Sequence, residues 1–428
     1  MLRCEDAALT TYDPALAGLP LLFDDAALTL LLQEQYPDAR IQQATGLYTR
    51  YKPGRSCLVA YDVRLPQAQI WVTACAYSIR GVSKLQKIKQ GLAVSGPLGL
   101  GGVVLDELAI AITVFPTDRR LPTLAQLVEI QQRRPLLQKI FPDQPAYWEA
   151  DWRVLRYKPE RRCVIQLQSG IGPALLKVYT PDDYENASCA AKRFTGGDNL
   201  RIAERLASSD SQRLIVTEWL PGTPLDQVLY TGGLATDTLR RVAAALARLH
   251  EQSSKDLYTY AGPAEAKAAQ QAARAVAALV PVLGTRAHTL ADHLTGEFAR
   301  ADVTPCAIHG DFSADQVIQM ADGRWGIIDL DTAGAGDYLA DIGMFAAQLY
   351  QEAALGRMTF PDARRWCDEL VDGYQQATGQ PIQQRRLRTH LAARLLRLAT
   401  GPFRKRIPEW DRHTTAVVQL AEEFAYGC

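Results

Sequence analysis

The sequence predicts an α+β protein of two or three domains, and three features carry that expectation. The chain has 428 residues, enough for more than one hydrophobic core. Two stretches of its first half read as strand, basic turn, strand: LYTRYKPGRSCLVAYDV from Leu47 and WRVLRYKPERRCVIQLQ from Trp152. Its second half follows helical spacing, as in TDTLRRVAAALARLHEQS, where Leu239, Val242, Leu246 and Leu249 recur on one face.

Composition excludes several classes of function. With 47 basic and 47 acidic residues, no global field draws the chain to nucleic acid or to an acidic membrane. The opening MLRCEDAALTTYDP is charged and lacks an apolar run of the signal-peptide kind. The greasiest stretch, Gly91 to Phe115, is broken by glycines, Pro97, Asp106 and Glu107, so it does not read as a membrane span. Eight cysteines without a CxxC pair fit reduced thiols. The expectation is a soluble cytoplasmic enzyme with neither nucleic acid nor membrane as partner.

The two strand–turn–strand segments resemble each other closely. Arg50, Tyr51, Lys52, Pro53, Arg55 and Cys57 find the same residue types at Arg156, Tyr157, Lys158, Pro159, Arg161 and Cys163, at constant spacing. Downstream, AITVFPTDRRLPTLAQLV closes the first segment much as LIVTEWLPGTPLDQVL closes the second. This reads as a duplicated domain of about a hundred residues; the alternative is two unrelated hairpins. The copies differ in chemistry. PALLKVYT carries Lys177 in the middle of an apolar strand, a costly place unless the ammonium meets a partner or ligand. The matching QIWVTACAYS puts Cys75 there. The second copy is therefore expected to be functional, and the first a remnant or cap.

The chemistry concentrates in CAIHGDFSADQVI, Cys306 to Ile318, followed by WGIIDLD and GAGDYLAD. Short apolar runs flank a polar loop, and a turn at Asp322-Gly323 leads to a second apolar run ending at Asp329 and Asp331. Asp337 and Asp341 follow, at the start of a helix expected over 338–349. A hairpin that gathers Asp311, Gln316 and Asp329 suits phosphoryl transfer. One carboxylate accepts the proton of the attacking hydroxyl, while an amide oxygen and a second carboxylate hold Mg2+ against nucleotide phosphates. His309 reads as structural, since no second histidine or cysteine is spaced to pair with it. Asp337 and Asp341 read as binders of backbone amides. Lys158, Arg161 and Arg162 of the basic turn either contact phosphate directly or cap a solvated hairpin tip.

HGDFSADQ with IIDLDTAGAGDYLAD resembles the aminoglycoside phosphotransferase and choline kinase superfamily, and the glutamine at position 316 resembles its maltokinase branch. The resemblance runs from about Trp148 to the end of the chain. It implies a bilobal protein-kinase-like fold, α+β in class, with a β-rich nucleotide-binding lobe and a helical catalytic lobe. It implies ATP as co-substrate with Mg2+, Asp311 as base, Asp329 and Gln316 as metal ligands, and His309 and Asp337 as structural support. Lys177 falls at the family's phosphate-binding lysine, with Glu185 the best candidate for its helix-borne partner beside Asp182, Asp183 and Glu204, and Glu218, Trp219 and Leu220 fall at the hinge that holds adenine. Lys158 and Arg161 fall where the family closes a loop over the phosphates.

The expected organisation is a degenerate cap copy over 1–140, a nucleotide-binding lobe over 141–222 and a catalytic lobe over 223–428. The expected activity is transfer of the γ-phosphoryl group to a hydroxyl of a sugar, amino alcohol or antibiotic-like metabolite. Alternatives are a peptide or protein Ser/Thr hydroxyl as acceptor, or a non-catalytic nucleotide-binding module. Joint retention of Lys177, Asp311 and Asp329 speaks against the module. The basic tail from Arg385 to Arg412 suits a neutral or anionic acceptor, or else a solvated helix face formed by Arg388, Arg394 and Arg397.

Overall fold

The computed structural model describes residues 2–92, 95–230, 237–260 and 262–427. Its contacts divide the chain into two compact units. The first comprises Met1–Thr180, Ser208–Leu214 and Gly401–Asp411; the second comprises Pro181–Ala207, Ile215–Thr400 and Arg412–Cys428.

The first unit is β-rich. The helix Asp25–Gln35 starts where Asp24 accepts hydrogen bonds from the Ala26 and Ala27 amides, satisfying two orphan donors of its first turn. A five-stranded antiparallel sheet follows, in the order Gln43–Lys52, Ser56–Arg64, Gln69–Tyr77, Ile110–Val114, Gly102–Leu105. After the helices Thr123–Val128 and Ile130–Ile140, Asp151–Lys158, Arg162–Ser169 and Gly172–Tyr179 form a second antiparallel set. Residues 401–411 return to the N-terminal helices through a buried centre. There Asp6 accepts from Arg406 and from the Trp410 indole, each at 3.0 Å. Such a buried charge is tolerable only because it is paired and hydrogen-bonded.

The two hairpins share their register. Tyr51 pairs with Cys57 and Leu58 with Cys75; Tyr157 pairs with Cys163 and Val164 with Lys177. Cys75 thus occupies in one sheet the place of Lys177 in the other. The likeness extends to irregular backbone. The Tyr77 amide donates to Ala109 O and the Tyr179 amide to Arg213 O, and both acceptors are left-handed at φ 50° and 51°. Asp13 accepts from Tyr51 Oη and the Gly54 amide, as Asp118 does from Tyr157 Oη and the Glu160 amide.

The second unit is mostly helical. Thr238–His250 buries Leu239, Val242, Leu246 and Leu249, the stripe expected from their spacing. Leu339–Ala354 is apolar nearly all round and buried to match; it extends five residues beyond the end expected from sequence. Between the helices lie a four-stranded sheet (Leu200–Ile202, Trp325–Ile327, Val317–Gln319, Thr223–Pro224) and a two-stranded pair, Cys306–Ile308 with Gly334–Gly336. These small sheets position the site.

The α+β class expected from sequence is the one found, with a β-rich first unit and a mostly helical second. Among the described residues the cysteines are free, and no helix is long and apolar enough to cross a membrane; Ala93 and Val94 of the greasy stretch lie outside the described residues. One expectation is corrected. Arg394 does not lie on a solvated face but is 2 % exposed, donating to the buried Glu265 at 2.8 Å.

Candidate active site

His309, Gly310 and Asp311 leave the strand Cys306–Ile308 in a shape that only glycine tolerates at its centre. Gly310 has φ 81°, and a Cβ there would stand 2.4 Å from Thr332 O. The loop hangs from one buried carboxylate. Asp341 accepts from the His309 amide (2.6 Å), the Gly310 amide (2.8 Å) and His250 Nε2 (3.0 Å), and His250 Nδ1 meets Tyr374 Oη at 2.8 Å. Burial would raise the Asp341 carboxyl, but the hydrogen bonds and charge of His250, with the His309 contacts, hold it below its ordinary value.

His309 joins the two halves of the site. Its Nε2 lies 2.8 Å from Ile328 O and therefore carries the proton. Nδ1 is then an acceptor, 3.3 Å from the Asp311 amide. One buried imidazole thus ties the residue before Asp329 to Asp311 itself. Gln316 arrives at the same end by strand pairing. Val317 pairs with Ile327, and the Ile328 amide donates to Gln316 O at 3.0 Å, which places Gln316 and Asp329 together at the open end of the hairpin. Asp329 sits in the left-handed region, at φ 62°, a cost that functional sites commonly carry. Gln316 Nε2 donates to Asp315 Oδ2, leaving its carbonyl oxygen for another partner. Asp311 is exposed, as a group that meets substrate must be.

Asp337 supports the site from the far end of the strand pair. It accepts from the Leu339 amide, from Arg386 (2.7 Å) and from His390 Nε2 (3.0 Å). Burial opposes its ionisation, yet His390 and Arg386 pull the carboxyl down to about 2.

The remaining candidates are distributed. Lys177 stands mid-strand in Gly172–Tyr179, Lys158 ends the strand Asp151–Lys158 and Arg161 lies in the turn that follows, all in the first unit. Glu185 is exposed on the helix Pro181–Ala190; its neighbour Asn186 donates to Asp331 O and docks that helix beside the catalytic hairpin. Glu218 accepts from Arg201 (2.5 Å) and the Glu204 amide (2.9 Å), and its own amide donates to Glu204 O. Sequence reasoning passed over His250, Asn186 and Tyr260. Tyr260 runs alongside Gly334–Gly336, its amide donating to Ala335 O and its hydroxyl to Thr332 O. Burial, with the neighbouring Tyr258 and, more distantly, the Asp311 charge, pushes its phenol up. The segment LYTY held no recognisable signal beyond its aromatic content.

Among the described residues no three His, Cys, Asp or Glu side chains converge as a ready metal cage. Magnesium in phosphoryl transfer needs none, since it takes one or two carboxylates and completes its shell with phosphate and water. The hard oxygens of Asp329 and Gln316 fit that role.

No curated protein matches the chain. Solved structures do. A choline/ethanolamine kinase family protein from Mesorhizobium loti aligns at 14 % identity with a TM-score of 0.46, covering 69 % of this chain and 94 % of its own. Choline kinase from Streptococcus pneumoniae aligns at 9 % and 0.47, covering 69 % and 100 %. A thermostable aminoglycoside phosphotransferase in ternary complex with ADP and hygromycin B aligns at 14 % and 0.49, covering 66 % and 96 %. At the level of sequence, the model of the phosphotransferase enzyme family matches residues 189–392, the segment that holds the entire His309–Asp341 loop system. Over residues 189–392 the chain is thus similar to the phosphotransferase enzyme family.

Proposed function

We propose that the enzyme moves the γ-phosphoryl group of ATP to a hydroxyl of a small molecule, such as a sugar, an amino alcohol or an antibiotic-like metabolite, with Mg2+. The observation that carries this reading is the single histidine, His309, bonded at once to Ile328 O and to the Asp311 amide. It locks a candidate base against a candidate metal ligand, and phosphoryl transfer depends on that relation. Asp311 takes the acceptor's proton as the hydroxyl oxygen bonds to the γ-phosphorus and the bond to the β–γ bridging oxygen breaks, releasing ADP. Asp329 and Gln316 would hold Mg2+, which neutralises phosphate charge when bound. Lys177, Lys158 and Arg161 would meet the phosphates, and Glu218 to Leu220 would hold adenine.

The domain organisation that goes with this reading is a duplicated copy over 1–140, a nucleotide-binding segment over 141–222 and a catalytic one over 223–428. Its support is the shared hairpin register and the matched Asp13 and Asp118 latches. The test is product analysis after incubation with MgATP and pooled sugars, amino alcohols, aminoglycosides and peptides. A phosphorylated small molecule with stoichiometric ADP supports the reading; ADP formation stimulated only by peptides would overturn the acceptor class.

A further inference from the structure

The turn Lys158–Arg162 is held by groups that the catalytic loop does not need. Both hairpins close through a left-handed residue, Gly54 at φ 62° and Glu160 at φ 55°. That backbone strains any residue with a Cβ and costs glycine little. Around Gly54 a Cβ would meet nothing within 4 Å, so the glycine answers to the backbone angle alone. Glu160 accepts the strain, and its side chain supplies the reason. Arg119 Nε donates to Oε1 at 2.8 Å and Arg50 to Oε2 at 2.5 Å. Asp118 Oδ2 takes the Glu160 amide at 2.7 Å and Tyr157 Oη at 2.8 Å, while its Oδ1 takes the Arg120 amide. The Glu160 carboxylate is only 17 % exposed, and the two arginines outweigh burial to keep it ionised.

Of the two hairpins, the second alone carries the clamp. The first hairpin has the aspartate latch but no side chain at Gly54 to grip; the hairpin beside Lys177 has both. Every gripping group comes from the first 140 residues: Arg50 from the strand Gln43–Lys52, and Asp118 and Arg119 from the segment after Ile110–Val114.

We propose that Arg50, Asp118 and Arg119 are positioning residues for nucleotide binding: through Glu160 they fix the turn that presents Lys158 and Arg161 to the phosphates. This is the contribution of the N-terminal segment, and it rests on the phosphate-facing reading of that turn. An adaptable basic tip would spend binding energy on ordering itself when nucleotide arrives; a clamped one is ordered beforehand.

The test is calorimetric titration of the full chain with Mg2+ and a non-hydrolysable ATP analogue, beside steady-state kinetics and thermal melts, for Arg119→Ala, Arg119→Lys and Glu160→Gly. Glu160→Gly is the decisive variant because it relieves the backbone while releasing the grip. It should melt no earlier than wild type yet bind nucleotide about tenfold more weakly, a difference of about 1.4 kcal/mol. KM for ATP should rise in parallel, with kcat at saturation altered less than about threefold. Arg119→Ala should do the same, and Arg119→Lys should recover part of the affinity. Wild-type affinity in both Glu160→Gly and Arg119→Ala overturns the clamp while leaving the phosphotransferase reading intact. Absence of nucleotide binding by wild type overturns that reading, and the clamp with it.

Discussion

Replacing Asp341 with alanine strands three donors at once: the His309 and Gly310 amides, at 2.6 and 2.8 Å, and His250 Nε2 at 3.0 Å. Asp341 and His309 have no exposed surface and His250 is 6 % exposed, so solvent does not replace the carboxylate without rearrangement. Each buried donor left unmet costs about 1–3 kcal/mol. Partial entry of water into the vacated space brings the expected loss to about 3–5 kcal/mol, a large share of the ~5–15 kcal/mol that holds a domain together. At about 2–4 °C per kcal/mol for a unit of this size, the melting temperature falls by about 10 °C. Activity falls further than stability. The same amides set the path of the chain into Asp311, and a shift of ~1 Å at the base costs about a hundredfold in turnover. Asp341→Asn keeps one carbonyl acceptor and falls between wild type and alanine on both scales. Calorimetric melts and kcat at saturating substrates, on the same preparations, give the two readings. An alanine variant that melts with wild type and turns over at the wild-type rate refutes the anchoring role.

Two further outcomes follow from buried charge. Asp337 sits at about 2 against an ordinary 3.8, so its ionisation contributes about 2 kcal/mol of stability. A lowered carboxyl gives stability that is present above its unfolded value and lost as pH falls through the folded one. Urea midpoints should therefore drop between about pH 4 and 2 in wild type, and less steeply over that window in Asp337→Asn. Arg394→Ala leaves Glu265 charged and buried, which should cost about 3–5 kcal/mol in urea unfolding. The double variant Arg394→Met, Glu265→Met should recover most of that loss; a double variant no better than the single one would contradict the pairing.

The candidate loop, His309 to Asp329, was legible because its information is local. Asp311, Gln316 and Asp329 lie within one short hairpin, and their spacing already implies that they share an end. What holds them was not legible, because it comes from distant parts of the chain. His250 reaches Asp341 across 91 residues, and in sequence it is simply the last residue of an amphipathic helix. Arg394 was misread for a related reason. A single-stripe view of its helix leaves arginines on the wet face, but Leu339–Ala354 and Gly262–Leu279 pack against that helix as well, and Glu265, 129 residues away, neutralises the charge. The buried Asp6–Arg406 pair spans 400 residues and carries no local trace at all. In sequence Glu160 is one more charge in a basic turn. Only its left-handed backbone, set beside Gly54, marks it as a residue kept for its side chain.

The central claim is that Asp311 is the base of a site whose parts are aligned before substrate arrives. The most direct measurement is phosphoryl transfer by Asp311→Asn against wild type, with the acceptor found in the pooled assay and with melts and nucleotide titrations alongside. Because Asp311 is exposed, the variant should fold and bind Mg-nucleotide as wild type does while kcat falls by about 10²–10⁴. Turnover within a few-fold of wild type, with folding and nucleotide binding intact, would contradict the claim and place the base elsewhere.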